Sequence, residues 1–171
     1  MKTLTITLSV LATLIQLDVN GSAFHRPGND IPFNVSDYSL MRGHEDSLAD
    51  AVHSADSATP IRIVLNEALA ENIEEFRKFR MLLRTLVIKE LILDLDSIKI
   101  GDFYDGFLTD THYIEAVSFV NAENLKRIKT AFLGNNKKLK KVSFENLGDL
   151  TYVERTFLSG NPSLTDVDFK D

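Results

Sequence analysis

Phe107, Phe132 and Phe157 stand at a constant step of 25 residues, and that step governs the C-terminal part of the chain. It also links Ile114, Leu139 and Leu164; Val117, Val142 and Val167; and Phe119, Phe144 and Phe169. Leu125 and Leu150 obey it, as do Ile128 and Val153. Six apolar positions held in one register identify a repeat architecture, because a hairpin sandwich has no reason to keep a fixed period of this length. A less regular earlier copy runs through Leu83, Leu91, Leu93, Leu95, Ile100 and Phe103, with lengths off by about a residue.

A unit of this size cannot bury its own apolar face, so it is stable only when stacked on its neighbours. Stacking sets equivalent side chains above one another, and the recurring phenylalanines then form ladders through the core. The L-x-x-V-x-F segment gives one short strand per coil with its apolar members turned inward. Successive strands line up as a parallel sheet at a spacing of ~4.8 Å. The expected fold class is therefore an α/β repeat solenoid with short parallel strands.

Ahead of the repeats, Ile61, Ile63 and Leu65 alternate with Arg62 and Val64, a strand pattern. The next segment changes to helical spacing, with Leu69, Ile73, Phe76, Phe79 or Arg80, and Leu83 on one stripe. This predicts a helix over 67–84 with Asn66 as its cap. Glu67, Glu71, Glu74 and Glu75 crowd its start and Arg77, Lys78, Arg80 and Arg84 its end, complementing the helix dipole, and Glu74 and Lys78 are spaced for an ion pair. Residues 61–85 thus read as a strand and a capping helix, and 86–171 as the repeats.

The first 60 residues differ in character. Lys2 followed by the apolar run Leu4 to Leu17, with Gly21-Ser22-Ala23 beyond it, predicts a signal peptide over 1–23. The run is short for a bilayer span, which needs ~20 residues, and no later segment approaches that length. Residues 24–60 hold Pro27, Pro32 and Pro60, with Asp30, Asp37, Glu45, Asp46, Asp50 and Asp56 against Arg26 and Arg42. Such a stretch buries too little to offset its ordering entropy and reads as a disordered polar leader. His44, Glu45, Asp46 and His53 lack a recurring ligand spacing and read as solvated leader rather than a metal site. Asn34-Val35-Ser36 is an N-glycosylation sequon. The chain has no cysteine, which excludes disulfides and thiolate chemistry and leaves stability to packing.

The segment from Phe132 to Phe144 (FLGNNKKLKKVSF), followed by Leu150-Thr151-Tyr152-Val153, resembles a BspA-type leucine-rich repeat, and Phe157 to Phe169 (FLSGNPSLTDVDF) resembles it too. The likeness lies in the period, the F-L corner and the inward Val-x-Phe strand; it is strong over 107–171 and weak over 86–106. It implies a leucine-rich-repeat solenoid with coils of ~25 residues, of the kind found in microbial secreted and cell-surface proteins that bind other macromolecules. The family usually carries cysteine at the corner where this chain has Thr111, Asn136 and Asn161. A buried asparagine fills that role by bonding neighbouring backbone groups.

No catalytic constellation emerges. His112 beside Asp110 and Tyr113 reads as a corner hydrogen-bonding residue, Ser159-Gly160 lacks a nucleophile-elbow context, and the glycines follow repeat turns rather than a phosphate-binding spacing. The expectation is a protein that is not an enzyme and that uses no cofactor or metal. A formal net charge of -6 gives no general nucleic-acid footprint.

Binding has a geometric basis instead. Residues flanking the inward strand positions face outward in rows: Ile92, Asp94 and Asp96; Ala116, Ser118 and Val120; Lys141, Ser143 and Glu145; Asp166, Asp168 and Lys170. Of these, Ser118, Val120, Lys141, Ser143, Glu145, Asp166 and Asp168 are the candidate protein-binding residues, small in the middle and acidic toward the ends. Lys126, Arg127, Lys129, Lys137, Lys138, Lys140 and Lys141 form a second candidate, suited to an anionic glycan or lipid, although their alternation with core positions favours a solvated convex face. The leading expectation is a secreted or cell-surface interaction module that binds a protein ligand through its sheet. The alternatives are a secreted effector or inhibitor acting through 24–60, and a structural piece of a longer solenoid. The last repeat stops two residues after Phe169, which predicts weak end-to-end self-association or a fraying coil around 157–171, with Asp166, Asp168, Lys170 and Asp171 placing charge that discourages strand pairing on that edge.

Overall fold

In the computed structural model, parallel strands stack as a β-solenoid of about three turns. The structure describes residues 4–6, 32–35, 52, 59–66, 71–97, 99 and 101–170. The elements in chain order are β1 (Leu4–Ile6), β2 (Pro32–Val35), β3 (Ile61–Asn66), α1 (Ile73–Thr85), β4 (Glu90–Ser97), β5 (Ala116–Val120), β6 (Arg127–Ile128), β7 (Lys141–Glu145), β8 (Tyr152–Val153) and β9 (Asp166–Lys170). The main sheet runs β1-β3-β4-β5-β7-β9, with β2 also paired to β3, and a second small sheet joins β6 to β8. Every pairing is parallel.

The register reproduces the sequence period. Val117 lies beside Val142 and Val142 beside Val167, while Phe119, Phe144 and Phe169 follow in the next row. The irregular first copy joins one residue out of step, with Leu91 beside Val117 and Leu93 beside Phe119. Between strands the coils are tied by backbone bonds at the same step, Lys140 N–H to the Glu115 carbonyl (2.7 Å) and Thr165 N–H to the Lys140 carbonyl (2.9 Å).

Inside, the aromatic ladders form as the repeat requires. Phe119 and Phe144 stack at 4.8 Å with their planes 7° apart, and Phe144 and Phe169 at 5.1 Å and 8°. In a second ladder Phe107 and Phe132 stack at 4.9 Å and 8°. Helix α1 supplies the ring in front of that ladder, Phe76 on Phe107 at 4.7 Å. It buries Phe76, Phe79 and Leu83 against the coils, whereas Ile73 remains exposed. Its polar side reaches the first coil: Arg80 donates to the Gly106 carbonyl at 2.8 Å, and Arg84 to the Thr109 carbonyl and to Asp110.

The helix boundary differs from the sequence expectation. Its N-cap is Asn72, whose Oδ1 accepts from the backbone N–H of Glu74 (3.1 Å) and Glu75 (3.3 Å), while Asn66 closes β3. The ion pairs on the helix are Glu74–Arg77 and Glu75–Lys78, three residues apart rather than four. Most of the spans expected as signal peptide (1–23) and leader (24–60), including His44 to His53, lies outside the described residues. Within them Leu4–Ile6 and Pro32–Val35 pair with β3 as strands. At Pro32–Val35 the sheet thus takes up backbone from the span expected to be unstructured. Pro32 stands at the first position of its strand, where a missing N–H disturbs a ladder least.

Candidate functional site: the outer face of the sheet

Alternation along each strand turns one set of side chains into the core and the other outward. The outer set forms three rows across the sheet. The first is Glu90, Ala116, Lys141 and Asp166; the second Arg62, Ile92, Ser118, Ser143 and Asp168; the third Val64, Asp94 and Val120. Glu145 and Lys170 pair in register beyond the third row, on β7 and β9. The seven candidate residues Ser118, Val120, Lys141, Ser143, Glu145, Asp166 and Asp168 therefore share one face.

That face is less open than the sequence suggested. Ser143 is only 4% exposed and donates its hydroxyl to Ser118 Oγ at 2.9 Å, so between Ile92 and Asp168 the middle row dips to a shallow furrow floored by these two small, bonded side chains. Its walls are longer side chains: Lys141 and Asp166 are exposed on one side, and Val120, Glu145 and Lys170 are partly or fully exposed on the other. Asp94 is also buried, at 5% exposure. Its Oδ2 accepts from Arg62 Nε at 3.1 Å and pairs with the Arg62 Nη2, while Oδ1 accepts from Asn121 Nδ2 (2.8 Å) and the Asp96 N–H (3.1 Å). Asp94 is thus an internal clamp between β3 and β4, not a group offered to a ligand.

Charges on the face neutralise one another. Lys170 Nζ lies 3.3 Å from Glu145 and 3.4 Å from Asp168, and these two carboxylates raise its pKa above the ordinary lysine value. Lys140, at the sheet margin, meets Glu115 at 2.6 Å and holds that carboxyl below the usual carboxylate range. A surface of mixed, locally paired charge selects against a polyanion.

The seven cations that are close in sequence separate in space. Lys126 and Arg127 belong to the β6 side of the coil, where Arg127 and Lys129 lie near Asp102 at 3.8 and 3.7 Å. Lys137, Lys138, Lys140 and Lys141 precede or begin β7 in the main sheet, with Lys138 over the Tyr113 ring at 5.1 Å. Between the two groups runs the buried segment Phe132, Leu133, Gly134 and Asn136. The sequence cluster is therefore not a single patch.

Beside α1 is a half-open cavity of about 360 Å³, lined by Ile73, Phe76, Arg77, Arg80, Tyr104, Asp105 and Lys129. Arg77 is paired with Glu74, Lys129 lies near Asp102, and Arg80 is committed to the Gly106 carbonyl. Burial and the neighbouring Arg84 lower the Arg80 pKa. His112 is exposed, and the carboxylate of Asp110 beside it is taken by Arg84 at 2.8 Å. Among the described residues no group of three or more His, Cys, Asp or Glu could hold a metal ion.

The corner residues do form a built network. Asn136, 1% exposed, accepts from Thr111 N–H and Thr111 Oγ1, both at 2.7 Å, and donates to the carbonyls of Leu108 (2.7 Å) and Leu133 (3.1 Å). The corners also hold a device that the apolar period does not reveal. Left-handed backbone recurs at Gly106 and Ala131, at Asp110, Asn135 and Gly160, and at Asn121 and Asn146, each at the repeat step. Glycine, asparagine and aspartate tolerate that conformation best, so their recurrence at Asp110, Asn135 and Gly160 and at Asn121 and Asn146 was the available signal.

The chain matches no family model, and neither a curated protein nor a solved structure is detectably similar to it.

Proposed function

We propose that this chain is a secreted or cell-surface binding module, a leucine-rich-repeat-like solenoid whose outer sheet face receives a protein ligand and whose helix α1 caps the first coil. The single observation that carries the reading is the furrow itself. A floor of small hydroxyls at Ser118 and Ser143, walled by side chains of both signs, gives a partner close backbone approach and mixed hydrogen-bonding chemistry. The cap rests on Phe76, which takes the place of a preceding coil in front of Phe107. The likeness to the BspA-type repeat supports the cell-surface setting, and the apolar run from Leu4 supports export. The reading assigns no catalytic role to any group and no cofactor.

The experiment is affinity capture from extracellular material with three forms of the protein: wild type, Ala116→Arg with Val120→Glu on the sheet face, and Lys126→Glu on the β6 side. A partner retained by wild type and by Lys126→Glu, and lost by the face variant at unchanged melting temperature, supports the reading. A partner retained equally by all three forms contradicts it.

A further inference from the structure

We propose that the cavity beside α1 is a binding site for a small aromatic carboxylate, with the ligand's ring held at Phe76 and Tyr104 and its charge met by Arg80 and Lys129. This goes beyond the protein-binding reading of the sheet face and does not depend on it.

Arginine stays protonated in a protein, so a guanidinium drawn out of water has to meet its charge with a partner. On α1, Arg77 meets Glu74 and Arg84 meets Asp110. Arg80 lies between them in sequence and is half-buried, and no carboxylate among the described residues pairs with it. Its Nη1 is taken by the Gly106 carbonyl at 2.8 Å, its Nε is buried without a hydrogen-bond partner, and no described residue accepts from Nη2. Burial and the charge of Arg84 lower its pKa, and Arg77 adds to this while Asp110 opposes it. An anion beside Arg80 offsets that penalty.

The coil side of the cavity is short of negative charge as well. Lys129 and Arg127 share one carboxylate, Asp102, at 3.7 and 3.8 Å, longer than a hydrogen bond. The one carboxylate in the lining, Asp105, is exposed. Since Arg77 is met by Glu74, the lining keeps Arg80 and Lys129 against Asp105, a small excess of positive charge. That balance fits a monoanion and not a polyanion.

The rest of the lining selects a ring. Phe76 and Tyr104 lie 5.7 Å apart with their planes tilted by 42°, and Ile73 beside them is 40% exposed. Two tilted rings offer face and edge to a third. Burial and the Glu71 carboxylate raise the Tyr104 pKa, so its hydroxyl remains a neutral donor. At about 360 Å³ the cavity is at the small end of ligand pockets and takes one or two fused rings with a single acid group.

Naphthoate titrated into the full chain tests the proposal, with naphthamide as its neutral counterpart of similar shape. Nuclear magnetic resonance follows the Tyr104 ring and the Arg80 Nε–H. Naphthoate shifts both signals and binds about tenfold or more tightly than naphthamide. Lys129→Gln weakens naphthoate severalfold and leaves naphthamide unchanged. Ile73→Glu, at an exposed position in the first turn where a carboxylate suits the helix dipole, adds a second acid to the lining and weakens naphthoate about tenfold. Melting temperatures check that both variants keep the fold, and the comparison of acid with amide needs only the wild type. Equal binding of naphthoate and naphthamide overturns the proposal. So does naphthoate binding that both variants leave unchanged, a set of shifts that spares Tyr104 and Arg80, or no shift up to the solubility limit.

Discussion

The backbone N–H of Asn136 donates to Oδ1 of Asn161, one coil further on, at 2.7 Å. Asn136 in turn offers its own Oδ1 to Thr111, so one amide per coil passes the same bond along the corner. Because Asn136 satisfies all four of its side-chain bonds in a buried site, removing it strands the Thr111 N–H and the Leu108 carbonyl, while the Leu133 carbonyl keeps its bond from Asn161 Nδ2 at 2.7 Å. At ~1–3 kcal/mol for each buried group left unpaired, Asn136→Ala costs about 2 kcal/mol or more. Asn136→Cys keeps a weak donor and acceptor there and costs less than alanine. Urea unfolding measures both, and a cysteine variant less stable than the alanine variant would contradict this account of the corner.

The ladder makes a graded prediction. Phe144 is fully buried between Phe119 and Phe169, so Phe144→Ala costs ~3–5 kcal/mol. Phe169 keeps about half of its surface in solvent, so Phe169→Ala costs less than half as much. Equal losses in thermal unfolding would show that Phe169 is covered in solution.

Left-handed backbone gives two substitutions of opposite sign. Ala131 holds φ at 50°, where its β-carbon is unfavourable, so Ala131→Gly stabilises by about 0.5–1 kcal/mol. Gly160 holds φ at 79°, and a β-carbon there would overlap Oδ1 of Asn135 beneath it, so Gly160→Ala destabilises by ~1–2 kcal/mol or more. Two melting curves decide the matter.

The Lys140–Glu115 pair predicts a pH response between β5 and β7. Hydrogen bonding and the charge of Lys140 hold the Glu115 carboxyl below its ordinary pKa. Stabilisation from a depressed carboxyl is fully present above the unfolded-state value, about 4.3 for a glutamate, and is lost as pH falls through the lower folded value. In a carboxylate NMR titration, Lys140→Ala moves the Glu115 midpoint upward. An unmoved midpoint would show that the contact is not made in solution.

Much of this fold was legible because burial imposes one rule on every coil. Val117, Val142 and Phe144 had to face inward together, and the parallel register followed from the period. The helix stripe Phe76, Phe79 and Leu83 was legible for the same reason. The start of that helix was not, because Asn66 and Asn72 both have cap chemistry and only the three-dimensional path selects Asn72. The face was half legible: alternation placed Ser118 and Ser143 outward, but their mutual bond and the depth at which Ser143 lies depend on the neighbouring walls. Asp94 looked like a surface acid because its partners, Arg62 and Asn121, come from distant strands and turns. The basic cluster misled for the converse reason, since proximity in sequence carries Lys126 and Lys140 to different sides of one coil.

Long-range nuclear Overhauser contacts decide whether the coils stack as a parallel solenoid that repeats in register. Contacts are expected between Val117 and Val142, between Val142 and Val167, and between the rings of Phe119, Phe144 and Phe169, all at the repeat step. Cross-strand contacts with antiparallel register, such as Val117 to Phe144 together with Phe119 to Val142 in place of the in-step pairs, would contradict it.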